Sequence, residues 1–212
     1  MTSGRHIRRS SGQNFFLLYA ICSAVVGQIL FVTLTLIATT LWSEFDWYRR
    51  TLSNLASPVH HFSAPIMTVA FVLPVALALP LIVYTLRYCV HRASLTSRLS
   101  IYVLPISFVT MVLLAIFTDL RPTLFWHRLF AGISILCVGL HLVLSSISYV
   151  RRKDTRALGY INGGVFLIVL LAWLLKDSFG WNDAIPEFLS VLASANVAGV
   201  LSARLWYYGP LN

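Results

Sequence analysis

Four residues could carry chemistry in this chain: Ser53, Asp119, His127 and Glu187. A serine near an imidazole, with a carboxylate to orient the ring, is a cast suited to acyl transfer. His61 or His127 would activate Ser53, and Asp119 would act as orienter. No G-x-S-x-G element surrounds Ser53, so catalysis rests on residue types alone. Arg49, Arg50, Arg121 and Arg128 add a second chemistry, because guanidinium groups grip phosphate or carboxylate with two parallel hydrogen bonds. Zinc is an alternative through His60, His61 and His127 with a nearby carboxylate. Adjacent histidines diverge on a helix, however, and no H-E-x-x-H or i,i+4 histidine pair exists. One b-type haem is a further alternative. His127 and His141 share a helix face ~21 Å apart, and His60 or His61 could supply an outer axial ligand. No cofactor motif is present, and no cysteine pair has metal-type spacing.

These residues lie between long apolar runs. Of 212 residues 58% are apolar and 11% are charged, with a mean hydropathy of +0.79. Soluble domains carry about 25% charged residues, so the composition predicts an all-α, polytopic membrane protein. Six segments are long enough to span, at about 20 apolar residues each: 15–42, 62–86, 99–118, 124–150, 160–175 and 185–205. Together they predict a six-helix bundle forming one membrane domain over residues 1–212. Arg8-Arg9 before the first run is read as flanking an uncleaved span, since no small-x-small cleavage site follows. Pro122 biases Arg121 away from helix, so the third run should stop near Thr118 and the fourth should restart near Leu124. Pro74 and Pro80 should kink the second span.

The net charge of +9 comes from arginines set between spans. Membrane orientation accounts for them, and no nucleic-acid role is read. Arg5, Arg8, Arg9, Arg87, Arg92, Arg98, Arg151, Arg152, Lys153, Arg156 and Arg204 mark the cytoplasmic side. Glu44, Asp46, Asp119, Asp177, Asp183 and Glu187 fall opposite. Both termini are therefore expected in the cytoplasm, with the protein in the plasma membrane. The outer connections must crowd into a polar cap, whose charges either pair among themselves or line a pocket. Gln28 and Asn196 sit mid-span and should point inward to partners. The sixth span carries two small-residue rows, Ser190, Ser194, Ala198, Ser202 and Ala195, Gly199, Ala203. Both rows are expected at close helix contacts, so leucine at Ala198 or Gly199 should destabilise. The same span offers a docking face for a membrane-protein partner or a second copy.

Leu52-Ser53-Asn54-Leu55 before the second span, Asp119 with His127, and the late Glu187 form a pattern. It resembles the prokaryotic six-span proteins of domain-of-unknown-function family 998. More distantly it is similar to the Frag1/DRAM/Sfk1 membrane proteins. The resemblance implies an integral membrane protein with Ser53, Asp119, His127 and Glu187 gathered in one candidate site. The first functional expectation is thus an outer polar pocket binding a lipid headgroup or another small polar ligand. The second is a lipid-modifying membrane enzyme using Asp119 and His127, and the third an accessory subunit of a larger membrane complex.

Overall fold

The computed structural model describes residues 11–57, 59, 62–117 and 123–208, apart from the side chain of Arg92. Among them are six helices long and apolar enough to cross a membrane. They are α1 (Ser11–Leu41), α2 (Ser63–Tyr88), α3 (Leu95–Ile116), α4 (Leu124–Val150), α5 (Arg156–Leu175) and α6 (Ala184–Tyr208). No strand occurs among the described residues. Each helix packs against its chain neighbours, α6 returns to α1, and a thinner contact joins α4 to α6. The result is an all-α six-helix bundle closed into a ring.

α1, α3 and α5 each begin four residues earlier than hydropathy predicts, α1 already helical at Ser11. α3 starts at Leu95 rather than residue 99, because the Ser94 side chain accepts the Ser97 N–H as an N-cap. Arg98 then lies in the first turn, where its Nε donates to the Ala93 carbonyl at 2.8 Å. α5 starts at Arg156 rather than residue 160, its entry held by Thr155 Oγ1 donating to the Tyr149 carbonyl at 3.0 Å.

Pro74 and Pro80 both lie inside α2. Proline removes a ladder donor, and neighbouring hydroxyls can satisfy carbonyls in such a weakened stretch. Ser23 of α1 reaches this stretch, donating to the Leu77 carbonyl three residues before Pro80 at 2.6 Å. Gly27 allows the approach: a Cβ there would sit 3.0 Å from Leu77 Cβ and 3.1 Å from the Pro74 carbonyl oxygen. At the α4–α5 contact Gly159 is tighter still. A Cβ there would lie 2.6 Å from Val150 Cγ2 and 2.7 Å from the Val150 nitrogen.

The two small-residue rows of α6 divide. Ala198 and Ser202 are buried, whereas Gly199 is exposed and a Cβ on it would meet nothing within 4 Å. The expectation that Gly199 supports a close helix contact within the chain is therefore corrected: α6 turns Gly199 outward, while Ala195 and Ala203 of the same row are half-buried.

The apolar core forms two clusters. One holds Phe31, Leu55, Met67, Phe71 and Met111 at the end where α6 begins. The other holds Leu17, Ala24, Tyr84, Leu104 and Leu205 toward the opposite end. Polar side chains lie between them on several helices.

Candidate functional site

Glu187 sits in the first turn of α6 and half-buries its carboxylate against the short 3-10 turn Leu52–Ala56. That turn forms because Thr51 and Asn54 cap each other reciprocally. Its first N–H, from Leu52, donates to Glu187 Oε2 at 2.6 Å. Ser53 Oγ lies 3.3 Å from Glu187 Oε1 and 3.1 Å from Thr51 Oγ1. The carboxylate therefore satisfies a donor the turn itself leaves unpaired. Two further ties fix this end. Asn182 donates its main-chain N–H to the Tyr48 carbonyl at 2.9 Å and its side-chain amide to the Arg49 carbonyl at 2.9 Å. Trp47 meets Phe188 edge-on with ring centroids 5.3 Å apart.

His127 lies in the first turn of α4 and is only 4% exposed. Its Nδ1 is 2.7 Å from the Phe117 carbonyl, just beyond the end of α3. A carbonyl only accepts, so the proton sits on Nδ1, and in the neutral ring Nε2 keeps a lone pair. The main chain thus sets the tautomer.

Two cavities meet at these residues. A chamber of about 90 Å³ is walled by apolar side chains of five helices, among them Phe31, Phe71, Met111, Leu114 and Val138. A wider groove of about 650 Å³ runs along α4 past Arg128, Gly132 and Leu136, and reaches Trp173 and Asp183. Ser53, His127 and Glu187 line both. A mostly apolar cavity with a few convergent polar groups is the usual form of a small-molecule site.

The remaining candidates separate. Arg128 lines the groove. Arg49 is exposed and pairs with Asp46 at 3.5 Å, and Arg50 lies over the Trp42 ring at 5.2 Å; neither lines the chamber or the groove. Asp119, Arg121, His60 and His61 lie outside the described residues, as does the suggested Asp119–His127 contact. Among the described residues no three His, Cys, Asp or Glu side chains come together as a metal site. His141, the inner haem candidate, is buried with Nδ1 donating to the Ser100 carbonyl at 2.8 Å.

Some polar partnerships were missed by sequence reasoning. Asn162 of α5 donates to Ser145 Oγ at 2.7 Å and accepts from Asn196 at 2.9 Å, joining α4, α5 and α6. Its signal was available as an amide inside an apolar run. Lys176 pairs with Asp183 across the α5–α6 connection. The hydrogen bond to Asp183 raises the Lys176 pKa above the ordinary lysine value, with partial burial opposing it.

Fold and site together define an α-helical, multi-pass membrane protein with a cavity at one end of the bundle. No family model, no curated protein and no solved structure matches the chain.

Proposed function

We propose that this protein holds the polar head of a membrane lipid, or another small polar ligand, at Ser53, His127 and Glu187. One observation carries the reading: these three polar residues line both the apolar chamber and the open groove. A molecule lying across that boundary would present its polar head to them and an apolar part to the chamber. Glu187 and His127 Nε2 both accept hydrogen bonds, which suits a head bearing hydroxyl or ammonium donors. Arg128 at the groove suits a phosphate. The resemblance to family 998 belongs to this reading. So does its orientation in the plasma membrane, with both termini cytoplasmic and the site facing outward.

A second reading, a lipid-modifying enzyme using His127 and Asp119, draws on the fixed tautomer. A lone pair on Nε2 can accept a proton, which is the property a general base needs. Ser53 Oγ is engaged by Glu187 and Thr51, so the proton would come from the ligand or a water. Turnover of a lipid panel separates the enzyme from the binder.

The binding test uses Gly132, which lines the groove and where an added Cβ meets nothing within 4 Å. Gly132→Phe should fold normally and obstruct entry. In native mass spectrometry after extraction in mild detergent, the wild type should retain lipid adducts and the variant should lose most of them. Equal adducts on both proteins, at matched thermal stability, would remove the groove from the proposal.

A further inference from the structure

A furrow of about 510 Å³ runs along the α4–α5 pair, lined by Val143, Ile147, Tyr160, Gly164 and Leu167 among others. Its lining is mostly apolar, and Ile147, Tyr160 and Leu167 are exposed, so it opens away from the bundle core. It shares no lining residue with the chamber or with the groove past Arg128.

Two adjacent glycines line the furrow, for different reasons. A Cβ on Gly163 would lie 3.0 Å from Ser146 Oγ, which donates to the Gly159 carbonyl at 2.8 Å. Helix packing therefore accounts for Gly163. A Cβ on Gly164 would meet nothing within 4 Å, so no contact within the chain requires glycine there. Glycine weakens a helix interior relative to alanine; what it provides at Gly164 is open space in the furrow.

One end of the furrow is basic. On α4, Val143 and Ile147 continue in steps of four to Arg151, whose backbone is still helical. On α5, Gly164 and Tyr160 continue in the same steps to Arg156. Arg156 reaches toward α4, its Nε donating to the Val150 carbonyl at 3.3 Å. That bond uses one of five guanidinium N–H donors, and neither arginine joins an ion pair among the described residues. Arg152 and Lys153 add positive charge beside them, against the single acid Asp154. From Arg156 to Leu167 the helix rises ~16 Å, about half of a hydrocarbon core ~30 Å thick. The furrow thus spans one leaflet, with its basic mouth at headgroup level.

We propose that this furrow seats one anionic phospholipid, its phosphate at Arg151 and Arg156 and an acyl chain along Tyr160, Gly164 and Leu167. Guanidinium groups suit phosphate, and basic residues at a helix end attract anionic lipid. A second copy of the chain fits less well. Paired symmetrically, it would bring the same arginines face to face, and like charges in contact oppose association. The inference stands whether or not the chamber binds a ligand. Because the furrow is open, its lipid exchanges with its surroundings, so occupancy is read in a membrane rather than after extraction.

The test reconstitutes the full chain in phosphatidylcholine vesicles containing phosphatidylglycerol with a photoactivatable diazirine in one acyl chain. After irradiation, cross-links are mapped by peptide mass spectrometry. The internal reference is the outward face of α3, where Tyr102, Ile106 and Val109 are exposed. Wild-type labelling should concentrate on the furrow, at about fivefold or more above α3, the factor that one arginine near an anionic head contributes. It should fall by a similar factor when phosphatidylcholine carries the same diazirine chain. Gly164→Leu should reduce furrow labelling to the α3 level, and Arg151→Gln with Arg156→Gln should erase the difference between the two probes. Furrow labelling no higher than α3 in the wild type would overturn the proposal, as would equal labelling by both probes. A preference that survives the double glutamine variant would overturn it too. So would a furrow shielded from both probes in protein that cross-links to itself, which would assign this face to a second copy. The wild-type comparison decides even if a variant fails to fold.

Discussion

Glu187 illustrates how one side chain can serve both structure and site. Its Oε2 accepts the Leu52 N–H at 2.6 Å, and Leu52 is itself buried. Removing the carboxylate strands that donor away from water, at about 1–3 kcal/mol by the usual penalty. Ser53 is different, because its contact with Glu187 is longer, at 3.3 Å, and its loss strands no main-chain group. Glu187→Ala should therefore destabilise the protein by about 1–3 kcal/mol, and Ser53→Ala by distinctly less. Unfolding in mixed micelles measures both, and a larger loss for Ser53→Ala would contradict the capping role. Topology suggested this pair as polar residues on one side of a membrane, and the resemblance gathered them in one candidate site without saying which atoms meet. Their contact spans 134 positions, and no local pattern encodes which carboxylate reaches back to which turn. The Nδ1 partner of His127 was hidden for a related reason. It is a main-chain carbonyl, which every residue carries and no residue type announces.

At the scale of elements, the helices were legible because a span of about 20 apolar residues has few alternatives in water or lipid. Their ends were less so. Hydropathy discounts polar first turns, yet Ser94 and Thr155 start helices through hydrogen bonds that such an average ignores. Helix faces were harder again. On α6 the two rows of small residues differ by one position, about 100° of rotation, and both have the four-residue spacing of a close contact. Only the neighbours decide, and they turn Gly199 outward while burying Ala198. The crowded glycine is elsewhere: at Gly159 an added Cβ meets Val150 main chain at 2.7 Å, which cannot move cheaply. Gly159→Leu should accordingly cost at least the 1–3 kcal/mol typical of overpacking, with Gly199→Leu near neutral. Thermal unfolding of the two variants in one detergent makes the comparison, and the reverse order would mean that the α4–α5 contact is not as described.

For the whole molecule, the arrangement of charge about the bundle yields a test of orientation. Arg87, Arg98, Arg151, Arg152, Lys153 and Arg156 flank the helix ends on the side of the α2–α3 and α4–α5 connections. The α1–α2 and α5–α6 connections, which touch through Asn182, hold Glu44, Asp46, Asp177 and Asp183. Lysine and arginine in short loops stay cytoplasmic, and acids contribute little to the choice. The basic end is thus expected inside, with the chamber, the groove and Glu187 at the outer face. Single cysteines in a background lacking Cys22, Cys89 and Cys137 test this. Ser94 is a poor place for one, since its hydroxyl caps α3, whereas Lys153 and Asp177 are exposed. In intact cells an impermeant thiol reagent should label Asp177→Cys and spare Lys153→Cys until the membrane is opened. The opposite pattern would turn the site toward the cytoplasm, and with it the leaflet from which a lipid could reach Arg128.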